Sequence, residues 1–215
     1  MQEQSAAWIA FGVSSIVFLV YEAWVLWVVR RHPERMARSA HTRMRVSWAE
    51  ALSERPGFEI VAVQTLRNSL MSATIGASTA ALALMGTITL AGGSLVESIS
   101  HLRAGGGVPL RPVLEGLLML ALFASYVCSS MAMRYFNHAG FVMSMPADSE
   151  HRRPFNALAL DYVGRAGLLY SWGLRFFLMI APLVAGIVNP LVMPPMTAGL
   201  VFVLWLFDRP ARILT

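Results

Sequence analysis

Two short polar stretches sit at the ends of long apolar ones and carry side chains able to do chemistry. In "RYFNHAGF", residues 134–141, Arg134, Asn137, His138 and Phe141 stand at i, i+3, i+4 and i+7, the spacing of one helix face. In "QTLRNS", residues 64–69, Gln64 and Asn68 are four apart, Ser72 continues the line, and Arg67 lies beside it. Glu22 and Arg67 each sit about two turns in from the arginine-rich end of an apolar stretch. A charge in hydrocarbon is costly unless paired, so Glu22 with Arg67 is the first expected ion pair, Arg175 and Arg134 being rival partners. Together these residues suit one of two tasks: lining a polar chamber near one membrane boundary, or hydrogen-bonding helices to one another.

Nothing specific to catalysis accompanies them. The sequence has no glycine-rich phosphate loop, no HExxH and no GxSxG, so no catalytic residue is expected. All seventeen basic residues are arginine, which rules out lysine Schiff-base chemistry. A metal at His138 would need two or three further ligands, and His32, His41, His101 and His151 show no helical pair spacing. Neither a metal nor any other cofactor is expected. Cys128, the single cysteine, permits no intrachain disulfide and reads as a small core residue.

The elements that position these side chains must cross a bilayer. Of 215 residues, 56% are hydrophobic and 13% charged, more apolar surface than a soluble domain of this length can bury. The chain reads as a single all-α transmembrane domain, residues 1–215, with four to five membrane-spanning segments and one or two cytoplasmic amphipathic helices. Its net charge of +5 marks the cytoplasmic side of the spans rather than a nucleic-acid partner. The expected partners are the lipid bilayer and either further copies of the chain or other membrane subunits.

The first span runs from about Trp8 to Val29, is followed by Arg30, Arg31, Arg35 and Arg38, and places the N-terminus outside. Within residues 30–59, Ala40, Met44, Trp48 and Leu52 recur every four residues, so a helix there either lies in the interface or packs on the protein's own core. The second span covers about Ile60 to Leu90 and carries a ladder of small residues, Ser69, Ala73, Ala77 and Ala81, suited to close helix packing within or between subunits. Gly92 to Arg111, with Gly105, Gly106 and Gly107, reads as a short external loop. The third span, about Pro112 to Met133, returns to Arg134, Arg152, Arg153 and Arg165, and residues 154–172 read as a further helix with Asp161 and Arg165 as a surface pair.

The last apolar region, Leu174 to Phe207, is interrupted at Asn189, Pro190, Pro194 and Pro195 into two short halves. Its end, with Arg209 and Arg212, is basic and should be cytoplasmic. Two short crossings or a re-entrant hairpin, Pro-broken in either case, would both return the end inside, and five segments are favoured over four straight spans. The location expected is a bacterial inner membrane.

The stretches "QTLRNSLMSAT" (64–74), "RYFNHAGF" (134–141), "GLRFF" (173–177) with Pro182 after it, and "LFD" (206–208) resemble, in the same order, a multi-pass membrane family catalogued as domain of unknown function 599. The resemblance implies fold and topology but no activity. It also implies that Gln64, Arg67, Asn68, Arg134, Asn137, His138 and Arg175 belong to the family's motifs. Two functions follow as expectations: an oligomeric, anion-favouring channel or transport protein with this polar cluster near the cytoplasmic side, or a non-catalytic subunit of a larger membrane complex.

Overall fold

The structure is a computed structural model that describes residues 2–31, 36–103 and 109–209; Arg35, Gly105 to Gly107 and Arg212 lie outside these. The chain is all-α, with no strand among the described residues. Its helices are α1 (Gln2–Arg31), α2 (Ala37–Ser53), α3 (Glu59–Arg103), α4 (Leu110–Met143), α5 (Asn156–Leu178), α6 (Ile180–Val188) and α7 (Met193–Asp208). Five stretches are long and apolar enough to cross a bilayer: Gln4–Arg31, Glu59–Ser98, Leu110–Met143, Arg153–Val188 and Pro190–Asp208.

Helix boundaries follow local chemistry. Between α2 and α3 the chain turns at Pro56 and Gly57, whose φ of 92° is left-handed and suits only glycine without strain. The Glu59 carboxylate then accepts the Gly57 N–H at 2.9 Å, tying the turn to the helix it precedes. Pro182 has no N–H to give the carbonyl four residues back, and the helix breaks between Leu178 and Ile180. Asn189, held extended before Pro190, ends α6, and its side-chain oxygen accepts the Leu191 N–H at 3.0 Å. Pro194 and Pro195 fall in the first turn of α7, where a missing N–H costs nothing.

Two expectations change. Residues 92–103 of the expected external loop are helical: α3 continues to Arg103 and reaches 45 residues, about 67 Å, well beyond ~30 Å of hydrocarbon. Residues 92–103, GGSLVESISHLR, contain no proline, and past the two glycines nothing in them stops a helix already under way. At the other end, the Pro-broken hairpin is present, but its first arm continues from α5, so Arg153–Val188 is one 36-residue stretch rather than a short half.

The chain folds as two compact units, Met1–Ala37 with Ala81–Phe123 and Phe176–Thr215, and Arg38–Ala80 with Ala124–Arg175. In the first, α1 packs along α7, with Tyr21 and Val25 against Leu200 and Leu204. A second cluster gathers Leu110, Leu114, Leu118 and Leu122 of α4 with Leu183 of α6 and Met193 of α7. Gly186 lets these approach, since a Cβ there would fall 2.9 Å from the Met193 sulfur.

In the second unit Ala49 of α2, Ala62, Leu66 and Ala73 of α3, Ala132, Phe136 and Ala139 of α4, and Val163 and Ala166 of α5 form one core. Trp48 and Leu52 pack on it while Met44 is 63% exposed, so α2 rests on the protein's own core and its buried stripe passes through Ala49 rather than Met44. The small-residue ladder works inside this chain: Ala73 and Ala77 are buried, and a Cβ on Gly76 would come within 3.4 Å of the Ser129 hydroxyl. α4 and α5 meet as closely, with the Ser125 hydroxyl donating to the Gly173 carbonyl at 2.9 Å and no room for a side chain at Gly173.

Candidate functional site

The alanines that hold α3 and α4 together fix where the polar motif residues must point. Ala62, Leu66 and Ala73 occupy the inner face of α3, so Gln64, Arg67 and Asn68 are left on its outer face and are exposed. Ala132, Phe136 and Ala139 do the same on α4, leaving Arg134, Asn137 and His138 exposed. Each set of three shares one helix face, turned away from the core of its unit. Arg175 is buried and Glu22 half-buried.

Within their unit the six exposed residues make few contacts of their own. The His138 ring lies 5.9 Å from that of Tyr162 and 6.5 Å from that of Phe141, centroid to centroid. Among the described residues of its unit, Arg67 forms no ion pair. Among the described residues no three histidine, cysteine, aspartate or glutamate side chains gather closely enough to hold a metal ion.

The energetic weight of these outer faces is uneven. The hydroxyls of Thr65, Ser72, Thr74 and Thr79 each donate to the carbonyl four residues back, at 2.9–3.1 Å, and so tolerate an apolar surrounding. Arg67 and Arg134 have stems long enough to carry their charge towards headgroups. Gln64, Asn68 and Asn137 have neither outlet, and each amide carries two donors and an acceptor. They and His138 are flanked by exposed Ile60, Val61, Met71, Ile75, Met131 and Phe141, an apolar surround that suits lipid.

The most buried polar residues were not singled out from sequence. Arg152, 1% exposed, donates from Nε to the Asn156 side chain at 3.0 Å and from Nη1 to the Met145 carbonyl at 2.8 Å. Its Nη2 reaches the Ser53 hydroxyl at 3.3 Å and the Met143 sulfur at 3.2 Å. Burial lowers the pKa of this guanidinium, and the Glu59 carboxylate opposes that by favouring the charge. Glu59 also accepts the Ala147 N–H at 2.9 Å. Arg152, read as a topology marker, is thus a clamp joining the end of α2, the start of α3 and the connection from α4 to α5.

Two further carboxylates sit inside apolar stretches of the first unit. Glu115 accepts from the Ser94 hydroxyl at 2.5 Å and from Arg111 Nε at 3.0 Å. Asp208 of the "LFD" stretch is buried and accepts the Tyr21 hydroxyl at 2.7 Å. The "RPVLE" spacing of Arg111 and Glu115, i and i+4, was the available signal for the first; nothing in the sequence paired residues 21 and 208.

A family model described as "Protein of unknown function, DUF599" matches residues 9–213. No curated protein and no solved structure matches the chain.

Proposed function

The chain belongs to the DUF599 family of proteins of unknown function, and from that premise we propose that it is the subunit of a homo-oligomeric, anion-favouring membrane channel or transport protein. The observation that carries the reading is the outward position of Gln64, Asn68, Asn137 and His138 on helices whose inner faces are already filled. Short amides facing lipid would leave donors and acceptors unmet, each at a cost of about 1–3 kcal/mol. A second copy or a water-filled path removes that cost. Arg67 and Arg134, on the same outer faces, supply the positive field that would favour anions at a pore mouth.

Five crossings would put the termini on opposite sides, with the N-terminus outside and the arginine-rich connections cytoplasmic. The test uses a Cys128→Ala background carrying Asn68→Cys or Asn137→Cys in reconstituted vesicles. Modification by a membrane-impermeant thiol reagent, with a change in anion flux, is the expected result. Protection of both positions together with a stoichiometric co-purifying membrane protein would replace this reading by that of an accessory subunit. Unchanged anion selectivity in Arg67→Gln and Arg134→Gln would remove those arginines from the path.

A further inference from the structure

Between α2 and α5 of the second unit runs an open groove of about 340 Å³, lined by Thr42 and Val46 on one side and Leu160, Asp161, Gly164, Arg165 and Leu168 on the other. Its walls are mostly apolar. The groove exists because α5 presents glycine where α2 crosses it: a Cβ on Gly164 would touch Val46 at 3.6 Å, and one on Gly167 would fall on the Arg45 guanidinium. Arg45 is therefore laid across Gly167, which stands about one turn along α5 from Gly164 of the groove wall. The two arginines here differ in their state of pairing. Arg165 is bonded to Asp161 at 2.8 Å, whereas Arg45 is half-buried and has no carboxylate or hydrogen-bond partner among the described residues.

We propose that this groove binds one anionic phospholipid, its phosphate on Arg45 and the upper part of an acyl chain along Val46, Leu160, Gly164 and Leu168. Three considerations select lipid over another occupant. A desolvated cation without a counter-charge is unstable, and burial already lowers the pKa of Arg45 with no carboxylate to oppose it. The stretch Arg153–Val188 has 36 residues where about twenty cross the hydrocarbon, so its arginine-bearing start extends into the headgroup layer. A basic residue beside an apolar cleft at that level has the charge and shape of an anionic-lipid site, and the volume falls within the usual range for small ligands. The site is independent of the outer faces of α3 and α4.

The test is native mass spectrometry of the full chain released from nanodiscs holding phosphatidylglycerol and phosphatidylcholine in equal amounts. Retention of phosphatidylglycerol should exceed that of phosphatidylcholine by about tenfold, the usual size of one charge-assisted contact. Arg45→Gln should abolish the preference. Gly164→Leu, which fills the groove and leaves Arg45 in place, should lower retention of the lipid while the helical signal stays intact. Equal retention of both lipids, unchanged adducts in Gly164→Leu, displacement by inorganic phosphate alone, or a protein chain held there instead would each overturn the proposal.

Discussion

At the scale of residues, the polar side chains divide into those that hold the chain together and those the chain leaves for something else. Arg152 belongs to the first kind. Replacing it by methionine keeps the volume but strands the Met145 carbonyl and the Asn156 side chain, so thermal unfolding in detergent should show a loss of about 2–4 kcal/mol. Lysine, a single point donor, should recover only part of that loss. Asn137 belongs to the second kind. Because its side chain is exposed on the outer face of α4, Asn137→Ala should change subunit unfolding by no more than about 0.5 kcal/mol while weakening assembly, read by size in mild detergent. A large loss of subunit stability would mean that the residue binds helices within the chain. The sequence was informative for Asn137 because four-residue spacing within one helix sets a face. It was silent on Arg152, whose four partners come from residues 53, 143, 145 and 156 and meet only after three connections have closed.

At the scale of elements, small residues decide the fold of the second unit. Gly173→Val should destabilise by about 1–3 kcal/mol, since its Cβ would stand 2.8 Å from the Ser129 hydroxyl and 3.3 Å from the Ser129 backbone nitrogen. Gly12→Ala in α1, where no atom lies within 4 Å of the added Cβ, is the control and should be neutral or slightly stabilising in the same melt. The ladder from Ser69 to Ala81 was legible as a packing face, although only the fold could assign it to the chain's own α4. Boundaries were less legible. The run from Gly92 to Ser100 suggested a loop by composition, yet α3 continues through it, and the Ser98 and Ser100 hydroxyls donate to carbonyls a turn back and are left with no unmet donor. The stripe on α2 shifted by one position, since Ala40, Met44 and Trp48 fit a four-residue repeat whereas the real contact line follows 3.6 and passes through Ala49.

At the scale of the whole molecule, the inner faces of α3 and α4 are filled by alanines with Leu66 and Phe136, and their outer faces carry amides and arginines on a lipid-suited surround. In the proposed homo-oligomer those faces are covered or wetted. The most direct measurement is imaging of the purified particle in nanodiscs at a resolution that locates α3 and α4. Several copies around an axis or seam, with Gln64, Asn68, Asn137 and His138 turned towards it, are the expected outcome. A monomer with those four residues against lipid would contradict it.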